Sequence, residues 1–225
     1  MTDGSVPSAG PGGRAPVVLH ADPALLALDK PSGLLCVPGR GPGKQDCLAA
    51  RVQAGWPDAL VVHRLDMATS GLWLMARGPA MQRALSMAFE ARRVDKRYVA
   101  VVSGRLAPPD TADGWGLVDL PLAADWPNRP LQKVDPVHGR PSRTRWRVLG
   151  HEGDTTRVEL EPLTGRSHQL RVHLLALGHP ILGDTLYAPP AVRDRAPRLL
   201  LHACALRLAH PATGEPLALD CPPPF

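Results

Sequence analysis

The chain has few cysteines and no long apolar run, and each shortage argues against a class of protein. The cysteines are Cys36, Cys47, Cys204 and Cys221. They form neither a CxxC pair nor a zinc spacing, so we expect free thiols, no disulfide framework and no metal site. No apolar stretch approaches the roughly 18 residues of a membrane helix, and the first residues lack the apolar core of a secretion signal. We therefore expect a soluble, cytoplasmic protein that does not contact a membrane.

Lysine is also scarce, so arginine carries most of the positive charge. The formal net charge is +5 and the isoelectric point is about 9.4. Guanidinium groups bind phosphates and stack on bases, which favours a polyanionic partner. A GC-rich genome would enrich arginine equally well, and composition alone leaves both explanations open.

The pattern of turn residues predicts one domain behind a short tail. Residues 1–16 are rich in Gly, Pro and Ser and are predicted to be disordered. Neither an internal repeat nor a long linker follows. We expect residues 17–225 to form a single domain and to be monomeric.

Short β-rich runs outnumber helical patterns and do not alternate with them regularly. Helices are predicted in QDCLAARVQAGW with Asp46 as N-cap, in GPAMQRALSMAFEARR, and in SHQLRVHLLALG ending at Gly178. VVHRLD is predicted to be a strand that ends at Asp66, with MATSG as the following turn. The fold class expected is α+β, with a central mixed, largely antiparallel sheet and flanking helices.

Two motifs resemble a nucleotide-binding site and a metal site, but neither has the residues or the spacing that such a site requires. GRGPGKQ, residues 39–45, resembles a phosphate loop, but it lacks the first glycine and the Ser or Thr that holds magnesium. The histidines His168, His173 and His179 with Asp184 match no common metal-ligand spacing. Core or RNA-facing roles are the better interpretation of these histidines.

The segment HRLDMATSG, residues 63–71, places charged and hydroxyl groups between apolar runs. Taken alone, Asp66 would most often cap the turn by accepting amide hydrogens, and Arg64 would be a solvated surface residue. The other motifs of the chain favour a functional role for Asp66 and Arg64 over these structural roles.

Four motifs in order resemble those of the RluA-type pseudouridine synthases. They are LDKPSGLLCVPGR (28–40), HRLDMATSG (63–71), KRYVAVVSGRL (96–106) and LTGRSHQLRVHLLALGHPILGD (163–184). A fifth segment, DLPLAADWPNRPLQKV (119–134), is similar to one typical of the RluA subgroup. The resemblance implies modification of uridines in stem-loops of 23S rRNA and in the tRNA anticodon loop. It also implies that residues 17–225 are a single catalytic domain with an active-site cleft across the sheet and without a separate N-terminal RNA-binding domain.

The resemblance also implies the catalytic residues. Asp66 is the expected nucleophile, Arg166 the guanidinium that pairs with it, and Tyr98 the ring that stacks on uracil and whose hydroxyl helps remove the C5 proton. Attack at C1′, attack at C6 and a glycal route all remain open. The isomerisation has no net redox change and transfers no group away, so no cofactor is expected. Arg166 is also expected in the first turn of a helix, where a cation opposes the helix dipole unless an anion is near.

Further residues are predicted to contact RNA during base flipping, which costs a few kcal/mol. Arg64 is expected to fill the space that the flipped uridine leaves. The other predicted RNA contacts are His63, Thr69, Trp126, Arg129, His168, Gln169 and Arg171. Helix surface is the alternative for the last three, and burial is the alternative for Trp126.

Two rival functions use the same features differently. A catalytically silent RNA-binding protein on this scaffold would have no need of Asp66, Tyr98 and Arg166 together. A glycosidic hydrolase would also place an aspartate at C1′, but such enzymes need a second carboxylate or a metal, and no matching motif is seen.

Overall fold

The computed structural model of the protein describes residues 15–225. The strands are β1 (Val17–Ala21), β2 (Leu25–Lys30), β3 (Ala59–Val61), β4 (Ser70–Arg77), β5 (Asp95–Ser103), β6 (Gly116–Asp119), β7 (Leu122–Ala124), β8 (Gln132–Val134), β9 (Arg143–Glu152), β10 (Thr155–Pro162), β11 (Leu201–Ala209) and β12 (Pro216–Asp220). The helices are α1 (Leu48–Gln53), α2 (Gly78–Glu90), α3 (Gln169–Ala176) and α4 (Pro190–Arg193). Within these residues, none of the helices is long and apolar enough to cross a bilayer.

The chain divides into two compact units. Within the described residues, the first comprises 15–94 and Ala205–Pro222, and the second comprises Asp95–Cys204 and Pro223–Phe225. The predicted tail lies outside the described residues, apart from its last two positions. The expectation of one catalytic domain over residues 17–225 stays a prediction.

The first unit is built on antiparallel pairs in which β2 and β4 are almost wholly buried. β2 pairs with β1 and β4, β3 also pairs with β4, and β12 pairs with the part of β11 from residue 205 onward. β4 is buried from Ser70 to Ala76, as expected for a run of apolar residues without alternation. Trp73 and Met75 of this strand pack in the core with β2 and α1. This core lies directly behind the HRLD segment, which precedes β4.

The second unit contains an antiparallel succession of β5, β10, β9 and β6, and a separate hairpin of β7 and β8. In α3 every residue from Gln169 to Leu174 is buried. Leu170 and Leu174 are buried, and the polar residues Gln169, Arg171 and His173 are buried too. The helix therefore lies inside its unit except at its last two residues, Leu175 and Ala176, which are exposed.

The predicted α+β class with a mixed, largely antiparallel sheet is confirmed, while the cleft stays a prediction. α2 and α3 lie where they were predicted, and Gly178 follows α3 with a φ of 83°. The N-cap of α1 was wrong: Cys47 Sγ accepts a hydrogen bond from Ala50 N, and Asp46 pairs with Arg51 instead.

The predicted strand ending at Asp66 was also wrong. β3 stops at Val61, and residues 62–69 form an irregular loop before β4. The alternation that would have placed Arg64 and Asp66 on one strand face is therefore absent. The loop has to be held by other contacts, because it lacks a β ladder of its own.

Candidate active site

A buried lysine anchors the chain directly after Asp66. The side chain of Lys30, at the end of β2, is fully buried, and its Nζ donates hydrogen bonds to the carbonyls of Pro31 (2.8 Å), Leu34 (2.7 Å) and Met67 (2.9 Å). A buried ammonium is tolerated only with such partners. The same contacts fix the backbone next to Asp66.

Two more side chains hold the loop on either side of Asp66. Ser32 Oγ donates to the Ala68 carbonyl at 2.6 Å. Cys36 Sγ accepts from Leu65 N at 3.3 Å and donates to the Leu65 carbonyl at 3.4 Å. Burial raises the pKa of the Cys36 thiol, which keeps its proton available for this donation. The backbone is therefore fixed both before and after Asp66.

His63 and Thr69 face inward at the two ends of the loop. His63 Nε2 accepts a hydrogen bond from Leu74 N at 2.9 Å, and its ring stacks on Phe89 with centroids 4.4 Å apart. The side chain of Thr69 is buried, with 3% of the residue exposed. These positions suit residues that hold the loop, and the predicted RNA contact does not fit the burial of Thr69.

The middle of the loop faces solvent. Arg64 is exposed, Met67 is 53% exposed and Asp66 is half-buried. The loop thus presents the Asp66 carboxylate between the exposed side chains of Arg64 and Met67. Its backbone is fixed by the hydrogen bonds from Lys30, Ser32 and Cys36. Such preorganisation suits a nucleophile, because the carboxylate needs little rearrangement to reach a substrate.

Tyr98 lies in β5 of the second unit, opposite Leu160 of β10, and is half-buried. Its neighbour Arg97 contacts Glu161 at 2.5 Å and lies with its guanidinium 4.9 Å from the Trp115 ring centroid. Because side chains alternate along a strand, Tyr98 is expected on the opposite face. The strand predicted for these residues is confirmed, and the side on which Tyr98 lies stays a prediction.

Arg166 lies before α3, not in its first turn. The helix begins at Gln169 with His168 as N-cap, so the argument from the helix dipole was wrong. Arg166 N donates to Gln169 Oε1 at 3.1 Å, and Arg166 Nε donates to the Pro141 carbonyl at 3.4 Å. These bonds fix the segment that carries Arg166.

Gln169 and Arg171 are interior residues, each 3% exposed. Gln169 Oε1 also accepts from Thr164 Oγ1 at 2.7 Å, and Arg171 forms two bonds of 2.8 and 2.6 Å with Asp184. The predicted RNA contacts of Gln169 and Arg171 do not fit this burial. Both side chains instead stabilise the helix behind Arg166.

Sequence analysis missed Tyr187. Its hydroxyl lies 2.6 Å from His168 Nδ1 and accepts a hydrogen bond from Gln132 N of β8 at 2.8 Å. The Arg171 guanidinium lies 5.0 Å from its ring centroid. The available signal was that Tyr187 is the second of only two tyrosines and lies near the motif ending at Asp184.

The β7–β8 hairpin presents an exposed aromatic side chain. Trp126 is 67% exposed, which excludes the alternative of a buried tryptophan, and the Arg129 guanidinium lies 4.4 Å from its ring centroid. A flat ring next to a guanidinium is suited to stacking on unpaired bases.

The arginines of β9 do not form a free basic stripe. Arg143 pairs with Asp119 at 3.2 Å, Arg145 with Asp113 at 2.6 Å, and Arg147 with Glu159 at 2.5 Å. Their positive charge is therefore neutralised within the unit, which weakens the expectation that this strand attracts phosphates.

The histidines considered as metal ligands have separate structural roles. His173 is 1% exposed, with Nδ1 2.9 Å from Thr144 Oγ1 and Nε2 3.0 Å from the Leu120 carbonyl. Burial lowers its pKa and favours the neutral ring. His179 Nδ1 instead lies 2.8 Å from the Ser103 carbonyl.

Comparison with known proteins agrees with these features. Residues 24–176 match the family model described as RNA pseudouridylate synthase. The chain is 50% identical over 210 residues to the dual-specificity RNA pseudouridine synthase RluA of Escherichia coli K12, covering 93% of this chain and 94% of that protein. The Yersinia pestis protein of that name is 49% identical, with 93% and 100% covered.

Solved structures give the same assignment. Human RNA pseudouridylate synthase domain containing 1 matches with a TM-score of 0.76 and 28% identity, covering 100% of this chain and 87% of that one. Human RNA pseudouridylate synthase domain containing 4 matches with a TM-score of 0.73 and 28% identity, covering 92% of this chain and 88% of that one. The chain belongs to the RNA pseudouridylate synthase family.

Proposed function

We propose that this synthase isomerises uridines in stem-loops of 23S rRNA and in the tRNA anticodon loop, with Asp66 as its nucleophile. The observation that carries the catalytic part is the loop of residues 62–69, which exposes its middle and is bound on both sides of Asp66. The dual-specificity name of the relatives supports the substrate part.

The chemistry explains why one carboxylate is sufficient as the covalent group. Isomerisation breaks the bond between uracil N1 and ribose C1′, turns the base, and joins C5 to C1′. Nothing is oxidised or carried away, so the enzyme must hold a reactive intermediate in place. A fixed Asp66 provides that hold without a cofactor.

Tyr98 and Arg166 are the other proposed catalytic residues. Tyr98 supplies a hydroxyl that helps transfer the proton away from C5 after the new bond forms, while N1 of the base gains a proton, so the product is an isomer of uridine. Arg166 supplies the guanidinium, and the backbone of Arg166 is fixed by the hydrogen bond from its N–H to Gln169. All three proposed catalytic positions lie within the residues that match the family model.

Substrate binding requires the target uridine to leave its stack. Arg64 is exposed in the loop and is proposed to fill the vacated space. Trp126 and Arg129 are proposed to stack on unpaired bases of the RNA loop. Arg64→Ala should then reduce activity more on a structured RNA than on an unstructured oligonucleotide.

Incubation with a uridine-labelled transcript tests the reaction. We expect an isomerised nucleotide of unchanged mass; free uracil would indicate a hydrolase, and unchanged RNA a binding protein. Asp66→Asn should lower turnover by about 10⁴-fold or more, the order seen when a nucleophile is removed. Asp46→Asn, which alters an exposed carboxylate of the same unit, is the control.

The substrates are tested in cells. Carbodiimide-dependent reverse-transcription stops are mapped in ribosomal and transfer RNA, with and without the gene. Loss of sites in both RNA classes is expected. Persistence of every site would refute the substrate assignment, and loss in one class alone would refute dual specificity.

A further inference from the structure

The arginines of the first unit fall into two groups. Arg51, Arg77 and Arg207 each form an ion pair with an aspartate, at 2.6, 3.0 and 2.6 Å. In contrast, five other described arginines of this unit are exposed and form no hydrogen bond, ion pair or ring contact within residues 15–225: Arg40, Arg64, Arg83, Arg92 and Arg93. The last two of these adjoin the end of α2. Folding of the described chain therefore makes no use of these two guanidinium groups.

Two contacts place the end of α2 beside the segment that leads to Asp66. Gln82 Nε2 of α2 donates to the Val61 carbonyl at 2.9 Å, and Phe89 stacks on His63. Arg92 and Arg93 follow Phe89 within four residues, while Arg64 directly follows His63. We call Arg92 and Arg93 the basic edge of this unit, and Arg64 keeps its separate proposed role of filling the vacated base position.

The backbone at Arg92 is unusual. Arg92 follows the C-cap residue of α2, Ala91, and has a φ of 57°, and Arg93 N donates to the Ala88 carbonyl at 2.9 Å. Glycine is the residue most often found in this left-handed position at a helix end, because a Cβ is disfavoured there. A cation could interact with the helix dipole from the last turn without this cost, yet the last turn of α2 contains none.

We propose that the basic edge binds the phosphodiester backbone of the RNA substrate, flanking the uridine presented to Asp66. Exposed guanidinium groups without internal carboxylate partners are complementary to phosphates. Use of the Arg92 side chain in binding would account for an arginine at this disfavoured backbone position. This inference rests on the proposed function, since it names the surface through which that substrate is held.

The test compares Arg92→Gly, Arg93→Gln and Arg92→Lys in the full chain. Glycine suits the backbone at position 92, so Arg92→Gly should be at least as stable as the parent. It should nevertheless bind an rRNA stem-loop transcript about five- to tenfold more weakly, and the slope of log affinity against log salt should fall by about 0.7–0.9 per arginine removed. Arg92→Lys should keep the parental slope.

Arg51→Gln is the matched control, because Arg51 is paired within the same unit. It should leave both affinity and salt slope unchanged. Parental affinity and slope in Arg92→Gly and Arg93→Gln would overturn the basic edge, as would an equal loss in Arg51→Gln. Failure of the parent protein itself to isomerise uridine would instead refute the proposed function, so the two failures are distinguishable.

Discussion

A single ammonium group fixes the backbone beside Asp66. Lys30 is buried and its three hydrogen bonds end on carbonyls, one of which belongs to Met67. Burying a charge is costly, so its retention here indicates a strong requirement for a donor at this point. The geometry of the reactive carboxylate therefore depends on a side chain from another strand.

Lys30→Met should show this dependence. Loss of the donor leaves buried carbonyls without a partner, and we expect the free energy of unfolding to fall by about 1–3 kcal/mol in denaturant titration. Turnover should fall further than the folded fraction explains. Lys44→Met, which alters an exposed lysine, is the control; equal behaviour of the two variants would contradict the anchoring role.

Tyr98→Phe separates packing from proton handling. The ring is retained, so the variant should fold with parental stability. Without the hydroxyl, turnover should fall by about 10²-fold or more, the order associated with general base catalysis. Single-turnover rates on a stem-loop transcript measure this, and near-parental turnover would refute the proposed role.

At the scale of elements, α3 and the β7–β8 hairpin are tied together by Tyr187. Its hydroxyl contacts His168 at the start of α3 and Gln132 in β8. The turn that carries it is held by Asp184, which pairs with Arg171. Gly183 before this turn has a φ of 73°, and an added Cβ would lie 1.8 Å from the Arg198 carbonyl oxygen, so glycine is required there.

Tyr187→Phe should loosen the hairpin without unfolding the unit. Removal of the hydroxyl leaves Gln132 N without its acceptor, and we expect a loss of about 1–2 kcal/mol in stability. Because the hairpin carries Trp126, KM for the stem-loop should rise more than kcat falls. Thr111→Val, which removes an exposed hydroxyl of the same unit, is the control, and a pure kcat effect would contradict this interpretation.

At the scale of the whole molecule, Asp22 joins parts of the chain that are distant in sequence. It contacts His20 at 2.6 Å and His210 at 3.2 Å, and accepts hydrogen bonds from Ala24 N and Leu25 N. Burial alone would raise the pKa of Asp22, but these hydrogen bonds outweigh it and lower the pKa to about 2. Because the folded pKa is depressed, the stabilisation is full above the usual value of 3.8 and disappears as the pH falls through about 2.

Asp22→Asn should therefore destabilise the protein in a pH-dependent way. We expect a loss of about 2 kcal/mol at pH 7 and roughly half of that at pH 3, measured by denaturant titration. Asp110→Asn, an exposed position, should have little effect at either pH. A difference between Asp22→Asn and the parent that does not change with pH would contradict the assignment.

Local patterns predicted much of the fold and the core of the candidate site. The unbroken apolar run of β4, the periodicity of α2 and α3, and the motif around Asp66 all depend on neighbouring residues. Residues 62–66, in the loop of residues 62–69, were predicted wrongly as part of a strand, because the loop is held by hydrogen bonds to Lys30, Ser32 and Cys36, which lie 29 to 37 residues away in sequence. No local pattern records such partners.

The sequence by itself determined the family and the chemical types at the site, since motif order and residue identity need no coordinates. Tertiary structure decided which polar residues face solvent. Gln169, Arg171 and Thr69 are buried, whereas Trp126 and Arg92 are exposed. The physical reason is that a polar side chain can be buried only where distant parts of the chain supply its hydrogen-bond partners, and that supply is fixed by the packing of the whole unit.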